Sequence, residues 1–325
     1  MGPRTGRRHR GCLTPDAPES AGAADRGRTR LLRLVFRGVR TILSIDPAWT
    51  DHQPSGVALL ESEGDAWRCI ALAPSYAQFI ALAEGRSVDW TETPSGGVPD
   101  VGALLDSSSA LAGGSTVDLV TIDMPVSTVE ITGRREADSA ISREFGGRGC
   151  STHSPSTVRP GAIGRALTQA FADRGYDVAT TTTPVGTSSV LMEVYPHTAL
   201  LSLMGAEYRV PYKVSRAGRY WPEIPPLDRR RRLVGIWVEI LDELGDVIDG
   251  IDLPLPTGTG LDAAGPSKLK RYEDALDALI CGWVGIQYVN GNCRPFGDAT
   301  AAIWTPESEA RGDIDEGFNG QVSDE

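Results

Sequence analysis

The chain has 325 residues, of which 40% are hydrophobic and 23% charged, and a formal net charge of −11. This is an ordinary globular composition, long enough to bury a core without disulfides or structural metal. It contains no apolar run of membrane-spanning length, and the acidic balance excludes a general nucleic-acid coating protein while permitting an enzyme with a few well-placed arginines.

Residues 1–38 are rich in Arg, Gly and Pro without a sustained apolar period, so they read as a disordered, dispensable extension. The stretch 31–37 is broken by Arg33 and Arg37 and does not read as a signal peptide. Ordered patterning begins near Val39. Residues 41–45 form a short β-branched run that ends at Asp46-Pro47, because proline cannot donate to a strand ladder. Segments 56–60 and 67–73 read as two strands of a hairpin. Ser75 suits the N-cap of a helix to about Glu84, and a further helix is expected over 101–111. The run 117–122 has no polar face, which suggests a central strand covered on both sides. It ends at Asp123-Met124-Pro125. Residues 127–160 read as irregular, 161–174 as a helix, and 190–192 as a third strand running into Glu193-Val194-Tyr195-Pro196. Two long helices follow, at 228–244 and 268–288, the second with Ala275, Ala278, Gly282 and Gly285 near one face. Residues 302–305 read as a short edge strand, and 307–325 as a disordered acidic tail. The domain proper thus spans 39–306, a mixed α/β sheet flanked by helices.

The cysteines Cys12, Cys69, Cys150, Cys281 and Cys293 are scattered and contain no CxxC pair, which argues against a disulfide framework or a zinc site and for a reducing cytoplasm. His9, His52, His153 and His197 form no ligand cluster, and no P-loop or GxGxxG fingerprint is present. Nothing points to an organic cofactor, and the oligomeric state leaves no trace in the sequence.

Three times an apolar strand runs out into an acid followed closely by proline, at Asp46, Asp123 and Glu193. Ligands of open α/β sheets bind beyond the carboxyl ends of the strands. Carboxylates that share such a rim resist joint ionisation, and a divalent cation with a preference for hard oxygen ligands, Mg²⁺ or Mn²⁺, relieves that cost. One such acid alone reads better as a turn or cap residue. Asp274 and Asp277 lie three apart on one helix face beside small residues. The alternatives for this pair are a solvated face or a salt bridge to Lys270 or Arg271.

Asp46, Asp123 and the helix Asp274-Ala275-Leu276-Asp277-Ala278-Leu279 resemble the RNase H and retroviral-integrase superfamily, and the helix is similar to that of bacterial Holliday-junction resolvases. The ordered set Ile45-Asp46-Pro47-Ala48, Ile122-Asp123-Met124-Pro125, Arg135-x-x-Asp138 with Arg143, Glu193-Val194-Tyr195-Pro196-His197, Tyr212-Lys213 and Tyr272 to Leu279 more closely resembles the domain of unknown function 429 family, described as predicted RNase H-like nucleases. The resemblance implies an RNase H-like fold with a mixed five-stranded sheet. It also implies a metal-dependent phosphodiester hydrolase that acts on nucleic acid, DNA or RNA.

On that reading two cations about 4 Å apart would promote in-line displacement. Asp46, Asp123, Asp274 and Asp277 would ligate them, and Glu193 would be a further ligand or orient the water. Arg135, Arg143 and Lys213 would hold substrate phosphates, or else serve solubility and internal salt bridges. His153 is a candidate proton shuttle that reads better as a plain loop residue. Sugar kinases and actin-like ATPases share the fold but need glycine-rich phosphate loops, which follow neither Asp46 nor Asp123. The alternative of another class is a non-catalytic binding or scaffold protein that keeps the fold.

Overall fold

The computed structural model describes residues 41–307. The extension expected over 1–38, with Cys12, and the acidic tail from residue 308 onward lie outside the described residues. The first strands follow the apolar runs. β1 (Thr41–Asp46), β2 (Gly56–Glu63) and β3 (Ala66–Ala73) form an antiparallel meander. Ser75 Oγ accepts the Gln78 N–H to cap α1 (Tyr76–Ala83), and Asp100 caps α2 (Val101–Leu111) in the same way. β4 (Leu119–Ile122) returns parallel to β1.

α3 (Glu136–Phe145) lies inside the stretch that the sequence presents as irregular. Its buried apolar stripe is only Ala137, Ile141 and Phe145, four residues apart, and the glycines that follow mask it. α4 (Gly161–Ala172), β5 (Asp177–Val178) and β6 (Val190–Val194) come next. Then follow α5 (Pro196–Leu203), α6 (Ala217–Tyr220), α7 (Pro226–Gly245), β7 (Ile248–Asp249), α8 (Gly258–Ala263), α9 (Pro266–Val289), β8 (Cys293–Gly297) and β9 (Ala302–Pro306).

These strands form one mixed nine-stranded sheet in the order β7-β3-β2-β1-β4-β6-β9-β8, with β5 pairing the start of β6. The expected five strands are therefore too few. β5, β7 and β8 are short or polar and carry no clear apolar period. β9 is not an edge strand either: β8 turns back antiparallel to it and forms the edge.

Apolar layers cover both faces. α5, α7 and α9 pack on one side, against Ile42, Leu60 and Met192. α1, α2 and α4 pack on the other, against Leu43, Ile45, Leu59 and Ile122. The small residues of α9 have the role expected of them: a Cβ on Gly282 would meet Leu60 and the Ser44 hydroxyl at under 3 Å. No helix among the described residues is long and apolar enough to cross a membrane. Cys69, Cys150, Cys281 and Cys293 are free, buried thiols.

Candidate metal centre

The period of two along a strand decides where each acid points. On β1, Ile42 and Ser44 face α9, so Asp46 faces it too. On β4, Thr121 faces α9, and its hydroxyl donates to Ser44 at 2.9 Å. Asp123, two residues on, follows it. The Asp123 N–H donates to the Ile45 carbonyl at 3.0 Å, so the parallel ladder carries on to the two acids. They stand side by side at the carboxyl ends of adjacent strands.

Above them lies α9, drawn in by a close approach at Gly56, the residue opposite Asp46 in the ladder. A Cβ at Gly56 would stand 2.0 Å from the Asp274 carbonyl oxygen, which no side chain can satisfy. This contact brings Asp274 and Asp277 over the strand ends. Asp46, Asp274 and Asp277 each offer a carboxylate oxygen, all within 4.8 Å of one another. Asp274 is 3% exposed and Asp277 0%, so the solvated-face alternative fails. The salt-bridge alternative is partly realised, because Lys270 Nζ bonds Asp274.

The cluster is short of positive charge. Burial raises the Asp46 carboxyl well above its ordinary value, and Asp277, Asp274 and Asp123 push it further. Burial likewise moves Asp123 up to about 7 and Asp274 to about 6, against the pull of Lys213 and Lys270. Asp277 is also raised by burial, although it accepts hydrogen bonds from Lys213 Nζ and, at 2.6 Å, from the Tyr212 hydroxyl. Glu273 moves the other way. Burial would raise it, but Lys213, Lys270 and the Val214 N–H at 2.5 Å outweigh burial and hold it low. Among the described residues no donor hydrogen-bonds to the carboxylates of Asp46 or Asp123. Hard oxygen donors, close together and under-neutralised, form a set that could hold a metal ion.

Glu193 reaches the same rim on the other face. Its ladder partner is Ile122, not Asp123, so it points away from α9. There Arg135 meets it in a bidentate pair, Nη1 to Oε2 at 2.6 Å and Nη2 to Oε1 at 2.7 Å. Arg135 also donates to Asp138 from Nε at 3.1 Å and from Nη2 at 2.9 Å, and to the Val126 carbonyl at 2.8 Å. All its N–H donors are engaged within the protein, so this arginine has the internal role, not that of a phosphate ligand. Arg143 is exposed and paired with Glu136 on the surface of α3. Lys213 is drawn to Asp277, with Glu273 at 3.6 Å.

A cleft of about 730 Å³ opens onto the acids and is lined by Asp46, Asp123 and Asp274 together with Trp49, Arg159, Lys270 and Arg271. His153 is exposed on its wall. Sequence reasoning named Lys270 only as an alternative salt-bridge partner and assigned no role to Glu273. Their i,i+4 and i,i+3 spacings to Asp274 and Lys270 were the available signal. Trp49, Arg159 and Arg271 come from three separate segments, and no local pattern joins them.

The family described as "Protein of unknown function (DUF429)" has a model that matches residues 45–302. The chain belongs to this family. The matched span begins beside Asp46 and includes Asp123, Glu193 and the Asp274/Asp277 pair. No curated protein and no solved structure matches the chain.

Proposed function

We propose that this member of the DUF429 family is a divalent-metal-dependent phosphodiester hydrolase with an RNase H-like fold, acting on nucleic acid. The observation that carries the proposal is the convergence of Asp46, Asp274 and Asp277 within 4.8 Å, with Asp123 alongside, at the floor of an open cleft. The inner strand order β3-β2-β1-β4-β6, in which β2 alone runs against its neighbours β1 and β3, supports the fold reading. The remaining strands extend this group at its edges.

Asp46, Asp123, Asp274 and Asp277 would hold Mg²⁺ or Mn²⁺. The ion, when bound, polarises the phosphoryl group and makes water a stronger nucleophile at neutral pH. The rest falls to the chain. The Tyr212 hydroxyl and Lys213 fix the rotamer of Asp277. α9, held close at Gly56 and Gly282, sets the height of Asp274 over the strand ends. The cleft walls admit a strand or nucleotide to the acids.

A second reading, a non-catalytic binding or scaffold protein, has one observation in its favour: Lys213 and Lys270 already sit on Asp277 and Asp274. Calorimetric titration with Mn²⁺ separates the two, since a scaffold needs no metal there. Activity is tested by incubating the purified protein with single-stranded, duplex and branched DNA and RNA in Mn²⁺ or EDTA. We expect cleavage that requires Mn²⁺ and is lost in Asp46→Asn. A protein that takes up no Mn²⁺ and cleaves none of the panel overturns the proposal.

A further inference from the structure

Arg135 and Arg271 both have little exposure, and they differ in how their donors are used. Arg135 directs every N–H at a carboxylate or carbonyl. Arg271 is 2% exposed. Its Nη1 donates to the backbone carbonyls of Trp90, at 2.8 Å, and Glu92. Its Nε is buried without a partner. No carboxylate among the described residues forms an ion pair with it. Asp89 acts on it only from a distance, and a buried guanidinium bonded to two carbonyls with no carboxylate paired to it is costly unless an anion completes it.

Arg271 lines the cleft, and two further cations stand on the same walls. Lys270 precedes it on α9, with its side chain 45% exposed. Arg159 is exposed and lies with its guanidinium carbon 5.5 Å from the centre of the Trp49 ring. Ser267, one turn before Arg271 on α9, adds a hydroxyl to the lining. The cleft lining therefore combines the acids Asp46, Asp123 and Asp274 with the guanidinium groups of Arg271 and Arg159.

We infer that these two guanidinium groups form a phosphate subsite, with Arg271 as its anchor and Arg159 as its exposed second donor. The subsite holds a phosphate next to the one that reaches the acids. Guanidinium donors in a fixed fork match phosphate oxygens, and hydrogen bonds between ionised groups are the strong ones. That the phosphate is one from a nucleic-acid strand or a nucleotide rests on the hydrolase reading above. The cleft volume of about 730 Å³ suits either source, since small-molecule sites fall at roughly 300–1,000 Å³.

The test is a binding measurement in EDTA, so that it does not depend on metal or turnover. End-labelled octathymidylate is followed by fluorescence anisotropy and thymidine 5′-monophosphate by calorimetry. The proteins are the parent chain, Arg271→Gln and Arg159→Gln. We expect at least one probe to bind the parent and to bind Arg271→Gln about tenfold or more weakly, the size expected for a lost hydrogen bond to a charged group. Arg159→Gln should show a smaller loss in the same direction. Because Arg159 is exposed, that variant retains the fold and keeps the idea testable if Arg271→Gln does not fold.

Octathymidylate alone binding identifies a strand as the source; the monophosphate binding as well identifies a nucleotide. Neither probe binding the parent, or both variants binding as the parent does, overturns the subsite. The hydrolase reading fails separately, by absence of Mn²⁺ uptake and cleavage while this binding persists.

Discussion

Two groups of buried acids meet at one rim of the sheet and differ in what neutralises them. Glu193 and Asp138 share Arg135, which answers both carboxylates with paired hydrogen bonds and leaves no donor idle. One residue further along the ladder, on the opposite face, the carboxylates of Asp46 and Asp123 receive no hydrogen bond from any described residue, and the two lysines nearby bond mainly to Asp277 and Asp274. The first arrangement ties the segment around Val126 and α3 to β6, since the Val126 N–H also donates to Glu193 at 3.0 Å. The second holds repulsion that the fold does not relieve. A closed ion pair and an open acid cluster are built from the same residue types at the same sheet edge. What separates them is whether a guanidinium arrives from another segment.

The largest expected effect comes from breaking the closed group. Arg135→Met leaves Glu193 and Asp138 buried without their partner, and removing one member of a buried pair costs about 3–5 kcal/mol. Urea unfolding should show this loss, and adding Glu193→Gln should restore part of it. An unchanged midpoint for the single variant would mean that the pair contributes nothing to stability.

In the open group the sign should reverse. Asp46→Asn removes a charge for which burial and the like charges of Asp277, Asp274 and Asp123 outweigh the attraction of Lys270, so the metal-free protein should melt at the same or a higher temperature. Mn²⁺ affinity should fall by at least about 100-fold, since even outer-shell changes at metal sites cost about 10–100-fold. A lower melting temperature together with parental Mn²⁺ binding would make Asp46 structural.

The pH dependence sharpens the same contrast. Asp123 and Asp274 titrate near 7 and 6 in the folded chain, against an ordinary value of 3.8. Between these limits the folded state binds more protons than the unfolded state, so stability falls as pH rises. Their contribution is fully present below about 3.8 and is lost as pH passes through 6 and then 7. Each tenfold gain in a carboxyl's proton affinity on folding is worth on the order of 1 kcal/mol. Thermal melts from pH 4 to 8 without metal should show this slope, and Asp123→Asn should flatten it. Saturating Mn²⁺ should oppose the loss most at the upper end, because metal ligands bind deprotonated. A slope that Asp123→Asn leaves intact would place its origin elsewhere.

The smallest effect is expected at Arg143. Its pair with Glu136 is exposed on both sides, and such pairs contribute about 0–1 kcal/mol. Arg143→Ala should change neither unfolding nor octathymidylate binding measurably. A clear loss of binding would return this arginine to the substrate path.

Several features were already present in local pattern. The apolar runs that end at Asp46 and Asp123, the cap at Ser75, and the small-residue face of α9 depend on neighbours within a few residues, and period and capping report those directly. The strand count, the place of β9 inside the sheet and the face taken by Glu193 depend on register between strands far apart in sequence. A slip of one residue sends a side chain to the opposite face, and the run up to Glu193 looks the same in either register. The counter-charges are equally remote. Arg135 reaches Glu193, and Lys213 reaches Asp277, across long stretches of chain. The sequence by itself determined which acids end strands and which share a helix face. Only the tertiary structure decided which of them meet a cation from elsewhere and which are left facing one another, because neutralisation of a buried charge depends on distance in space, which strand pairing and helix packing set.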